Sequence, residues 1–393
     1  MTTSRARGWV VPGMEGTEMV DVYSSMKWSF CVVALASVTL LGCPETGVVK
    51  DGLVVVDDVP QLNVAAVEED AVAFTTSGAS PIQVGDIIVG SDKGGFLRRV
   101  EAVSETKGGV LTQTSKASLA EAIDFGMLFQ DIEFTTQDFI NAGLIGVDGV
   151  ATIVDLSGKD IYRDYGIAVT VARGTLECVP EIYLAASWNG FRLSRFNMQT
   201  SGTAILNFDV QVGVDDQTTL RFETDLIPPI TQPFATSIGP IPVVGVASLR
   251  FPIGITGRFD GDTAVTAGFD IVDDFDFSGL FEGGNWSSDF QAGTPVFTGH
   301  EPVWVIEIGA DIVVYVKVVP AVTLYSAATL SGYVMPYLRA DIDVYPSPMT
   351  VVLTGGLNAG VSFDLSVLDF RVWGYSYDWA GPSAQLYTWS AAY

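Results

Sequence analysis

The chain has 393 residues and a formal net charge of −26, with 20 basic against 46 acidic residues. That balance excludes nucleic acid, whose phosphates demand Lys and Arg, and excludes docking on an anionic lipid surface through basic residues. Apolar residues make up 48 % and the acid is dispersed rather than blocked, so the chain can bury a sizeable core and is not a disordered polyanion.

Residues 1–25 are mixed and polar, with Arg5, Arg7, Glu15, Glu18 and Asp21, and read as an upstream extension. At Met26 the pattern changes. Lys27 supplies a positive charge and Trp28 to Leu41 form a largely apolar run. A charged start, a short apolar stretch and small residues at the cut mark a secretory signal peptide, here 26–42. The alternative is a single leader of 42 residues beginning at Met1. The run closes Leu40-Leu41-Gly42-Cys43. This resembles the lipobox of bacterial lipoproteins, although Leu41 stands where a smaller residue is commoner. The resemblance implies cleavage before Cys43 and a covalent lipid on its sulfur. One acyl chain holds a protein only weakly, at about 0.8 kcal/mol per buried CH₂, but two or three make a stable anchor. Arg5, Arg7 and Lys27 balance Glu15, Glu18 and Asp21, so losing 1–42 leaves the net charge unchanged. No later stretch approaches the roughly 20 apolar residues of a membrane-spanning helix. Cys31 leaves with the leader, so Cys178 stands alone in the mature body and no disulfide forms there.

Residues 43–52 read as a tether. From 53 to 128, short strand-like runs ("GLVVV", "AVAFTT", "GDIIVG", "GFLRRVEAV", "VLTQT") alternate with Gly and polar clusters, as in a small β module. Ser118 with Glu121 three residues on forms a capping box opening a short helix, with Gly126 placed to end it. Residues 129–393 read as strands. Leu206, Phe208, Val210 and Val212 alternate with Asn207, Asp209 and Gln211. Leu220, Phe222, Thr224 and Leu226 alternate with Arg221, Glu223 and Asp225. From Trp304 to Val319 the even positions are apolar, and Leu338, Ala340, Ile342 and Val344 oppose Arg339, Asp341 and Asp343. Period two with one dry and one wet face predicts antiparallel sheets packed as a sandwich or closed as a barrel. The expected fold is therefore all-β, a small N-terminal β module followed by a large antiparallel β-sandwich-like domain. The proline-rich stretch 227–242 reads as a long loop. The module and the C-terminal 70 or so residues resemble parts of uncharacterised secreted β-rich surface proteins, a resemblance that implies no site.

The only histidine, His300, leaves no multi-His zinc site and no matching Gly-x-Ser-x-Gly nucleophile, and reads as a loop residue. The densest acidic cluster is Asp260, Asp262, Asp270, Asp273, Asp274 and Asp276. Asp270, Asp273, Asp274 and Asp276 are the candidate Ca²⁺ ligands, against a plain solvated strand face; the spacing is not that of an EF-hand. Glu223 with Asp225, and Asp341 with Asp343, are carboxylate pairs of the kind glycosidases use, on what are equally ordinary polar faces. Trp373, Tyr375 and Tyr377 fall on one face of a strand and could stack a ligand, or simply pack. No catalytic set stands out and no cofactor is expected. The reading is a non-enzymatic lipoprotein of the bacterial cell envelope, anchored to a membrane at Cys43, at the outer membrane or cell surface. Its partner would be an envelope protein or polysaccharide. An outer-membrane β-barrel or envelope assembly component, and a secreted carbohydrate-active hydrolase, are the alternatives.

Overall fold

The computed structural model describes residues 47–142, 153–164, 166–261, 263–306, 309–343 and 348–391. Strand accounts for 71 % and helix for 5 %, so the protein is all-β. Three sheets hold it: one of six strands, one of eleven and one of nine.

The six-stranded sheet runs in spatial order Leu53–Val55, Ile87–Gly90, Phe96–Thr106, Gly109–Lys116, Ala71–Thr76 and Leu62–Val67. Only the first pair is parallel. Ile87–Gly90 is buried on both faces, as its unbroken apolar run requires. Ile88 and Phe96 join a small core with Val72, Phe74 and Val100, whereas Ile87, Val89 and Leu97 belong to the main core. The module therefore packs directly on the larger body. Gly95 makes that approach possible: its φ is +84°, and a Cβ there would stand 1.7 Å from a methyl of Val244.

Each large sheet is built on one very long strand, flanked by a full-length partner on one edge and forked on the other. In the first, Leu193–Val214 pairs with Thr263–Glu282 from Arg195↔Glu282 to Val214↔Thr263. Its other edge is shared by Glu181–Asn189 and Ile167–Cys178. In the second, Ala328–Asp343 pairs along its length with Met349–Phe363, which in turn pairs with Tyr375–Ala391. The opposite edge is shared by Ala310–Val316 and Val319–Leu324. The two sheets bury their inner faces together in one continuous core. Phe208, Val210, Val212, Val265 and Ala267 of the first meet Ile312, Val314, Leu338 and Ala340 of the second. Two rings lock the layers. Phe277 of the first sheet fills the space over Gly332 of the second, and Phe363 of the second fills the space over Gly279 of the first.

Several expectations need correction at this point. The tether expected over 43–52 contains a paired segment: Val48–Val49 adds to the large sheet beside Phe125 and Ile123. Ile123–Glu133 likewise belongs to that sheet, so the small module's own strands end at Lys116. The Ser118 capping box is present, but its helix is one turn, Leu119–Ala122, and Gly126 lies inside the following strand. The apolar alternation from Ile123 onward suits a sheet, and it overrides the cap. The stretch 227–242 is largely hairpin, Ile230–Ile238 against Ile241–Arg250. Its prolines are tolerated because Ile230–Ile238 is the last strand of its sheet, where one side of the backbone needs no partner. Gly239, at φ +58°, precedes Pro240 in a two-residue turn suited to right-twisted strands. The run from Trp304 to Val319 is divided between two sheets, Val303–Ile306 in the first and Ala310–Val316 in the second, and Val319 opens the next strand, Val319–Leu324. Thr136–Asn141, capped by Thr135 and Asp138, is a helix within the expected all-strand region.

Candidate functional site

Trp373, Tyr375 and Tyr377, read as one strand face that could stack a ligand or simply pack, do not all lie on one strand. The strand begins at Tyr375, and Trp373 sits in the preceding loop, 89 % exposed. Tyr375 stacks on Trp286 at 4.9 Å and 9°, and Trp286 stacks on the buried Phe363 at 5.6 Å and 12°. Tyr377 continues the row toward Trp379, edge to face at 5.2 Å. The Ser288 and Tyr375 hydroxyls lie 2.8 Å apart. This row joins Asn285–Ala292 of one sheet to Tyr375–Ala391 of the other.

The four candidate aspartates lie on one strand but on two faces. Asp270, Asp274 and Asp276 point outward, each held by a cross-strand neighbour. Asp270 Oδ1 lies 3.1 Å from His300 Nε2, Asp274 accepts from Thr203 Oγ1 at 2.5 Å and Asp276 from Gln199 Nε2 at 2.6 Å. Asp273 points inward, 4 % exposed, and no side chain donates to its carboxylate, although the Gly293 and Asp274 backbone amides lie close enough to favour its charge. Burial, helped by the charge of Asp274, pushes its pKa up to about 6. Among the described residues no group of three or more such side chains could hold a metal ion. Asp262 lies outside the described residues.

His300 is more than a loop residue. Its ring lies between Asp209, on Nδ1, and Asp270, on Nε2, with Arg173 beside it. Burial opposes its charge, but the two carboxylates outweigh burial and raise its pKa above the ordinary value. Of the carboxylates considered for hydrolysis, Glu223, Asp225 and Asp341 are also engaged. Glu223 accepts from Lys317 at 2.6 Å and Tyr315 at 2.7 Å, Asp225 from Arg250 at 2.8 Å, and Asp341 is paired with Arg339. Burial opposes ionisation of Glu223, yet the Lys317 and Tyr315 bonds hold its pKa below the usual range.

One cleft went unread in the sequence. About 360 Å³ in volume, it lies where the chain enters the body, lined among others by Lys50, Glu121, Phe191, Asp369, Phe370 and Arg371. Asp369 is buried and forms a forked pair with Arg371 at 2.8 Å to each oxygen, while the Leu193 amide donates to it at 3.1 Å. Burial raises the Asp369 pKa, but those donors more than offset it. Arg99 is paired with Glu121 across the module boundary. The segment is fastened further by Leu119 and Ala120 amides donating to Val367 and Leu368 at 2.7 and 2.9 Å. Such a cleft presents fixed charges between two phenylalanines; its carboxylates are salt-bridged rather than poised for proton transfer.

Beside that entry lies an apolar face. On Ile123–Glu133 the outward residues Phe125, Met127 and Phe129 are 46, 52 and 60 % exposed, and Val48, paired with Phe125, is 53 % exposed. A shallow cleft of about 270 Å³ continues the face between Met127, Phe129, Tyr183 and Ala185, with Arg195 on its rim. Isolated exposed apolar residues are ordinary, but a contiguous row is a mark of an interaction surface. Among the described residues no helix is long and apolar enough to cross a membrane. Comparison with known proteins found no matching family model, no similar curated protein and no similar solved structure.

Proposed function

We propose that the chain is an exported lipoprotein of the bacterial cell envelope, held on a membrane by lipid on Cys43, whose all-β body has a non-catalytic binding or structural role. One observation carries the reading: Leu40-Leu41-Gly42-Cys43 closes an apolar run, and five residues later Val48 opens the first strand among the described residues. A cleaved, acylated chain would thus begin almost at its folded body. The leader and Cys43 lie outside the described residues. Salt-bridged carboxylates on the sheet faces support a binding role over hydrolysis. The filled core between two face-to-face sheets, with ion pairs such as Arg339–Asp311 on an outer face, speaks against a lipid-facing barrel. The test is the intact mass of the membrane-extracted protein beside Cys43→Ser. The expected mass is that of a chain beginning at Cys43 plus diacylglycerol and acyl groups, absent in the variant. An unacylated mass, or a chain retaining the leader, sinks the proposal.

A further inference from the structure

We propose that the exposed face formed by Val48, Phe125, Met127 and Phe129 rests on the lipid bilayer and fixes the orientation of the body on its membrane. This rests on the anchor reading and goes further, because a lipidated cysteine on a long tether would leave the body free to tumble. Here it does not have a long tether. Only Pro44, Glu45, Thr46 and Gly47 separate Cys43 from Val48. A fully extended chain covers at most about 3.6 Å per residue, so an acylated Cys43 stays within roughly 18 Å of Val48. Val48 lies beside Phe125 in register, and Phe129, four residues along the same strand, is only about 13 Å further. The apolar face is therefore held within reach of the surface that holds the lipid.

The chemistry of the face suits that occupant. Its side chains are aliphatic, aromatic and thioether, and those of Ile123–Glu133 alternate with inward residues Leu128 and Ile132 of the core, so they project from a sheet rather than a loop. The entry end of this face is where Val48 meets Phe125. Asp131 and Glu133, at the opposite end of the strand, mark where the apolar face stops. Contact here comes from apolar burial and not from net charge, in keeping with a strongly acidic protein.

The experiment uses the full acylated chain in phosphatidylcholine–phosphatidylethanolamine vesicles carrying doxyl-labelled lipid. Cys178 is buried and the Cys43 sulfur is blocked by lipid, so one introduced cysteine accepts an environment-sensitive fluorophore. Met127→Cys and Phe129→Cys report on the face. Thr219→Cys, exposed on the outer side of the other sheet, is the control. A blue shift with quenching by doxyl lipid at 127 and 129, and neither at 219, is the expected result. A label at Phe125→Cys should lose that quenching in a Met127→Glu, Phe129→Glu background. If mass spectrometry shows the acyl chains but no label is quenched by lipid, the docking proposal fails and the anchor stands. Labels shielded from iodide yet untouched by doxyl lipid would mean a second copy or other protein covers the face, which also overturns it. An unacylated mass removes both readings together.

Discussion

Two glycines and one aspartate show how narrowly single positions are specified. Gly279 and Gly332 face rings of the opposite sheet, where a Cβ would fall 1.9 Å from Phe363 and 2.0 Å from Phe277. Gly332→Ala and Gly279→Ala should each destabilise by about 1–3 kcal/mol through overpacking, read as a lower denaturation midpoint. Asp273 acts in the opposite sense. Its folded pKa, about 6, stands above the ordinary 3.8, so between those values the folded state binds more protons than the unfolded one. Stability must then fall as pH rises through that window and level off above it. Asp273→Asn should raise stability at neutral pH by roughly 1 kcal/mol, by removing a buried charge that no side chain pairs, and change little near pH 4. Urea titrations of both proteins across that range check it; equal gains at both ends would show that ionisation is not the cause.

Among the elements, those buried on one face were the most legible. Leu206, Phe208, Val210 and Val212 point into the core as their alternation requires, and so do Leu338, Ala340 and Ile342. Less legible were elements whose signal is shared between two environments. The stretch 227–242 is rich in proline yet lies in a hairpin, because edge strands excuse a missing donor and sequence alone does not say which strand is last. In Ile123–Glu133 the alternation is apolar on both sides: Leu128 and Ile132 bury while Phe125, Met127 and Phe129 remain outside. Without the partner strand, the wet face could not be told from the dry. The candidate residues divided in the same way. His300, Asp209 and Asp270 are far apart in the chain, and it takes two pairings, Leu193–Val214 with Thr263–Glu282 and Thr263–Glu282 with Val296–Gly299, to bring them together. Trp373 shared the spacing of Tyr375 and Tyr377 but not their strand. Asp369 and Arg371, the most tightly bonded pair of the entry cleft, sat in a stretch with no periodic signal at all.

At the scale of the whole molecule the all-β layout was readable from period and turns, whereas the coupling of the small module to the body was not, since it depends on contacts between residues far apart in the chain, such as Gly95 with Val244. Ile87, Val89 and Leu97 belong to the main core. Module and sandwich should therefore unfold in one calorimetric transition, and Leu97→Ala should lower its midpoint without splitting it, at a loss of about 2–5 kcal/mol. Two resolved transitions would show that the module stands alone.

The fastening of Leu119 and Ala120 to Val367 and Leu368, and of the Trp188 indole to the Leu368 carbonyl at 3.2 Å, reaches across most of the chain. It also sets an order in time. A polypeptide emerging N-terminus first would have its early strands in hand long before the segment that clamps them had been delivered, and contacts so distant in sequence form slowly. Until Tyr375–Ala391 pairs with Met349–Phe363, that edge of the second sheet stays open, and a protease or a chaperone has its opportunity in that interval.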